Sequence, residues 1–139
     1  MGRGRLGRIT WGAAFANTFD PAYPLDEARA YSVDRDGSAT ITTLTGVADA
    51  WIVGVDHLLS GRLRWLTTAQ YDGTTGVRAM LEWLRAQNVG RWYPDRVSAP
   101  STFIPVYLVA SSEPEAEADF TRAIAITFRS SDGSPFTGY

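Results

Sequence analysis

His57 is the only histidine in the sequence, and Asp56 stands directly before it. A base with an orienting acid is what a serine nucleophile needs. On a strand, however, residues i and i+1 point to opposite faces, so adjacency in sequence separates these two side chains. No G-x-S-x-G turn accompanies them. One histidine and no cysteine leave too few ligands for a zinc site.

The ten aspartates and five glutamates offer many possible acid–base pairs. Most sit in turn-like segments or beside arginine, where solvated or ion-paired roles are the expectation. Asp34-Arg35-Asp36-Gly37 reads as a hairpin turn rather than a cation loop. The segment 20–27 lacks the alternating oxygen spacing of an EF-hand. The glycines of residues 2–7 follow no strand, so they make no phosphate loop. All thirteen basic residues are arginine, which rules out a Schiff base or a Walker lysine. No catalytic, cofactor-binding or metal-binding residue is expected, and the chain is read as no enzyme.

The elements that would position any site follow from periodicity. Residues 1–8 carry three arginines and three glycines and read as a flexible basic arm before a single domain over 9–139. Residues 15–27 read as a loop with aromatic plugs at Phe15, Phe19 and Tyr23. Two hairpins are expected next. One runs from Ala28 to Leu44 around Asp36-Gly37. The other runs from Trp51 to Thr67 around Ser60-Gly61, with Leu63 and Trp65 on one face and Arg62, Arg64 and Leu66 on the other. Val77, Met80, Leu81 and Leu84 at i, i+3, i+4 and i+7 predict one helix over about 75–88, capped by Thr74 or Thr75 and closed near Gly90.

A strand at Arg91–Tyr93 follows, then one from Phe103 to Val109, apolar on both faces and so expected to be covered on both. The acidic segment from Ser111 to Asp119 reads as a loop. Phe120 to Arg129 is the last strand, with Ile124, Ile126 and Phe128 on one face. The sum is an α+β domain, mainly antiparallel: a β-sandwich or small barrel of about six to eight strands with one flanking helix. Net charge is −2, so no basic field holds nucleic acid, and no apolar run reaches the roughly 20 residues that span a bilayer.

Five tryptophans are many for 139 residues. Trp51, Trp65 and Trp83 lie on apolar faces and are expected in the core. Trp11 and Trp92 stand beside glycine and arginine and are expected at a subunit interface, where Trp, Tyr and Arg concentrate.

The order of these features resembles small tail proteins of long-tailed bacteriophages. The features are the Trp51 strand, Ser60-Gly61-Arg62-Leu63-Arg64-Trp65, the single helix, Trp92-Tyr93-Pro94-Asp95-Arg96, Val106-Tyr107-Leu108-Val109, Ile126-Thr127-Phe128-Arg129 and the terminal Phe136-Thr137-Gly138-Tyr139. The resemblance runs through residues 45–139. It implies a structural protein of the virion tail, a β-sandwich with one helix that forms a homo-hexameric ring around the tail channel. The distal tail protein at the baseplate hub is the first reading. The tail tube protein is the second, because the sequence shows no long, clearly marked inter-strand loop of the kind a tube subunit carries. Implied partners are copies of the chain and other tail proteins: tube, hub and tape measure. No specific nucleic-acid binding and no membrane insertion are implied.

The residues fit such a role on their own terms. Charge complementarity from subunit to subunit could join the basic arm to the acidic residues 113–119. A carbohydrate-binding β-sandwich is the alternative of another class, and its mark would be a row of coplanar exposed aromatic rings.

Overall fold

Ten strands and two short helices follow one another in a computed structural model that describes residues 5–34, 39–42, 48–51, 55–117 and 120–137. The strands are β1 (Arg8–Trp11), β2 (Asn17–Phe19), β3 (Asp26–Asp34), β4 (Ala39–Thr42), β5 (Ala48–Trp51), β6 (Val55–Leu66), β7 (Gly90–Tyr93), β8 (Ile104–Ser111), β9 (Glu115–Ala116) and β10 (Arg122–Ser130). The helices α1 (Thr68–Asp72) and α2 (Val77–Arg85) lie between β6 and β7. Eight strands form one sheet in the order β2-β1-β7-β8-β10-β6-β3, with β9 added alongside β10. Every pairing is antiparallel. The sheet does not close, so β2 and β3 are its two ends. This is the expected α+β architecture.

Alternation builds the core. Ile124, Ile126 and Phe128 on β10 are buried, as are Ile9 and Trp11 on β1, Trp92 on β7 and Leu59 and Leu63 on β6. Helix α2 closes this face with Val77, Met80, Leu81 and Leu84, the expected stripe. Its outer side carries Arg78 and Glu82 one turn apart, 3.7 Å between charges. The helix starts on Gly76 without a side-chain cap, so the threonine cap expected at 74 or 75 is not used. The threonine cap sits one helix earlier. Thr67 Oγ1 accepts from the Gln70 N–H, and Gln70 Oε1 accepts from the Thr67 N–H. At its C-terminal end the helix closes through Gln87 at φ 67, not through Gly90. Gly90 opens β7 instead, packed under Leu84.

The two expected hairpins are not formed. Strand β6 is continuous for twelve residues, and Ser60 and Gly61 sit in its middle. Gly61 is there because a Cβ would strike the Leu25 side chain, a close-approach role rather than a turn. Strand β3 pairs with β6 (Ser32 with His57, Asp34 with Val55), while β4 pairs with β5 (Ala39 with Trp51, Thr42 with Ala48). The chain therefore leaves the sheet after Asp34, makes a two-stranded ribbon and re-enters at Val55. The expected Asp36-Gly37 turn lies outside the described residues.

A bulge corrects the reading of β6. The register slips between Leu63 opposite Ile124 and Leu66 opposite Arg122. Trp65 takes φ 55 there, which turns its ring outward and brings Leu66 into the core. Strand β8 is central in its hydrogen bonding, between β7 and β10, but only one face is covered. Ile104 and Val106 are buried, whereas Phe103 and Val109 are exposed.

Residues 1–8 were expected as an arm. Of these, residues 5–8 lie against the domain. Leu6 O accepts from the Arg96 N–H, Gly7 is closed off by the Trp92 ring, and Arg8 begins β1 and donates to Asp20 at 2.7 Å. Residues 1–4 lie outside the described residues.

Candidate assembly surface

Strand pairing places His57 opposite Ser32, with Nδ1 and Oγ 2.9 Å apart. Asp56, on the other face of β6, lies 4.0 Å from Arg129. Sequence neighbours thus separate as the strand geometry requires. Among the described residues no third group orients the imidazole, and the pair sits near the edge of the sheet, on β3 and β6.

The tryptophans exchange the places expected of them. Trp92 is 1% exposed and Trp11 is buried, both in the core. Trp65, expected inside, is 42% exposed. Trp83 packs on the flank of the core, close to Trp11. The side chain of Trp51 lies outside the described residues. Trp92 alternates with Arg91 and Tyr93, so its arginine neighbour marks the opposite face of the strand rather than its own.

Trp65 belongs to a built cluster at one end of the sheet. Its backbone N–H donates to Glu117 Oε1 at 2.9 Å. Glu117 Oε2 accepts from Arg64 Nη2 at 2.7 Å and from Arg64 Nε at 3.0 Å. The Arg64 guanidinium lies 4.4 Å from the Trp65 ring centre, and Tyr23 meets that ring edge-on at 4.9 Å. The Trp65 N–H, and then Arg64, hold the Glu117 carboxyl below the usual carboxylate range. Next to it, the Glu117 N–H donates to Thr121 O at 2.8 Å, just after Phe120. Phe120 is 95% exposed at φ 59.

The acidic segment is largely engaged within the chain. Glu115 pairs with Arg62 at 3.0 Å, and Glu117 with Arg64. Glu113 stays exposed. Among the described residues, the expected subunit-to-subunit pairing of this segment therefore has Glu113 and the outer part of Glu115 to work with; Asp119 lies outside the described residues.

The uncovered face of the sheet alternates arginine with aromatic rings. Arg91 lies between Phe15 and Phe103, 4.0 and 4.3 Å from their centres, and Arg129 lies over Tyr107. At the opposite end from Trp65, a cleft of about 550 Å³ opens between the end of β7, the start of β8 and the segment after β10. It is lined by Pro94, Ala99, Thr102, Ile104 and Pro135, with Arg5 beside Asp95.

Among the described residues the arrangement offers exposed rings, stacked arginines and an apolar cleft. No protein-family model matches the sequence, and no curated protein matches it. A solved structure does share its shape. The fold recurs in a tail assembly. The counterpart is a chain in the tail of an empty GTA particle, computed with helical refinement and C6 symmetry. The match covers 93% of this chain and 93% of the GTA tail chain, with a TM-score of 0.53 and 15% identity. At that identity the likeness to the GTA tail chain is one of fold.

Proposed function

We propose that the chain is a structural subunit of a phage-like virion tail, assembling with copies of itself into a six-membered ring around the tail channel. One observation carries this reading: the fold matches, over nearly the full length of both chains, a component of a C6-symmetric tail. The role is mechanical, and the Ser32–His57 contact is a cross-strand pair within the sheet rather than a catalytic dyad.

A ring of this kind can sit at the tail tip, as a distal tail protein does, or repeat along the tube. The ribbon of β4 and β5 favours the tube. A tube subunit carries a long inter-strand loop, and here β4 and β5, between Asp34 and Val55, pair with each other outside the main sheet. The helical refinement of the GTA tail points the same way. The carbohydrate-binding alternative asks for coplanar exposed rings. The exposed pairs Tyr23–Trp65 and Tyr93–Phe103 are inclined at 63° and 47°.

Light scattering across a concentration series, followed by electron microscopy of the purified chain, tests the proposal. Six-fold rings are the expected product, and stacked tubes would place it in the tube. A chain that stays monomeric at all concentrations and binds a glycan on an array would overturn it.

A further inference from the structure

The two ends of the sheet complement each other. At the end where β6 finishes and β10 begins, Phe120 stands almost wholly in solvent, at the same end of the sheet as the Trp65–Tyr23 pair. Both Phe120 and Trp65 hold positive φ. Bulky residues rarely adopt this conformation, and it persists only where surrounding bonds fix it. Glu117 supplies those bonds, one to each side: its carboxylate takes the Trp65 N–H and its own N–H binds Thr121 O. At the other end, where β10 finishes and β8 begins, lies the cleft of about 550 Å³ lined by Pro94, Ala99, Thr102, Ile104 and Pro135. The nine residues of β10 separate the two ends by about 30 Å.

Charge follows the same polarity. The exposed Glu113 and the half-paired Glu115 belong to the Phe120 end. Arg5 lines the cleft, and its one ion pair among the described residues is a long one of 3.8 Å to Asp95.

Resting on the ring reading above, we infer that Phe120 and its neighbour Trp65 form a knob that seats in the Pro94–Ile104–Pro135 cleft of a second copy of this chain. Glu113 and Arg5 meet across the joint. A knob and its cleft on different patches of one subunit make a head-to-tail contact, the kind that closes into a ring or runs on as a filament. An exposed aromatic anchor in an apolar pocket is also where binding energy concentrates.

The test uses two variants of the full chain, Phe120→Asp and Thr102→Trp, in sedimentation velocity at matched concentrations. Both side chains are exposed, so each variant should melt where the parent does. Phe120→Gly, which also relieves the positive φ, is the control should Phe120→Asp lose stability. Each variant alone should associate about tenfold or more weakly than the parent. An equimolar mixture should form a 1:1 dimer and nothing larger, because it restores one knob–cleft pair and no second. Variants that assemble like the parent, or a mixture that yields no dimer, would overturn the contact while leaving the ring reading standing. A parent chain that never associates would overturn the contact, and one that also binds a glycan would overturn the ring reading with it.

Discussion

The backbone N–H of Trp65 donates to the side chain of Glu117 across 2.9 Å, joining residues 52 apart in the sequence. The bond fixes the β6 bulge to the acidic segment, just after β9. Glu117→Ala removes it together with the two Arg64 contacts. The thermal midpoint should fall by roughly a few degrees. Glu117→Gln keeps an acceptor for Trp65 but turns an amide donor toward Arg64, so its midpoint should lie between parent and alanine variant. Equal midpoints for all three would show that the cluster does not hold the bulge.

Acid should destabilise the fold through three carboxylates. Glu117 is held low by the Trp65 N–H, Asp95 by the Ser98 N–H and Asp132 by the Ser134 N–H. A folded value below the unfolded one means that the unfolded chain takes up protons first as pH falls. Their stabilisation is complete above the ordinary carboxylate range, near pH 4 to 4.5, and is lost as pH drops through that range toward the folded values. Thermal midpoints should be flat from about pH 8 to 5 and decline below about 4.5. The decline should be shallower in Glu117→Gln.

The exchanged tryptophans give opposite outcomes on truncation. Trp92→Ala empties a buried site in contact with Phe128 and beneath Gly7, and should cost about 3–5 kcal/mol in denaturant unfolding. Trp65→Ala removes a half-exposed ring and should cost about 1 kcal/mol or less. Comparable losses at both positions would contradict the faces assigned here.

The ribbon should be separable from the domain. Asp34 and Val55 are direct partners, so residues 35–54 can be replaced by Asn-Gly, a two-residue hairpin turn. The shortened chain should unfold within a few degrees of the parent. If the ribbon links one ring to the next, as the tube placement requires, microscopy should show rings without stacked tubes. Tubes of normal length from the shortened chain would exclude that placement.

Where one face of an element is covered and the other is wet, the sequence was easy to read. Ile124, Ile126 and Phe128, and the Val77–Leu84 stripe, show their period directly; at the register shifts along β10 the extra residues lie in its partners β6 and β8. Trp65 defeats the same reasoning. Period two carries Leu63 and Trp65 to one face, and nothing in the letters marks the extra residue that turns Trp65 out. Ser60-Gly61 carries the chemistry of a turn, yet its glycine answers to Leu25, more than thirty positions away, a constraint visible only once the fold is known. The long excursion after Asp34 was hidden for the same reason: local turn signals suggest pairing between sequence neighbours, whereas β3 pairs across the ribbon with β6. Of the assembly surface, the aromatic and arginine content was legible. Which rings face outward was not, since that depends on the bulge at β6 and on the one-sided cover of β8.

Strand order and chain order disagree most at β10. Among the described residues the strand latest in the sequence, β10, lies between β8 and β6 and also carries β9. Until Ser130 has left the ribosome, the sheet is two unjoined halves, each with an open edge. The Phe120 end has no partner strand, and the segment that completes the cleft does not yet exist. In the ring reading, a chain that stops short of β10 lacks the ordered joint, so association has to wait for this strand. Completion of the central strand then acts as a timing control that leaves shorter products out.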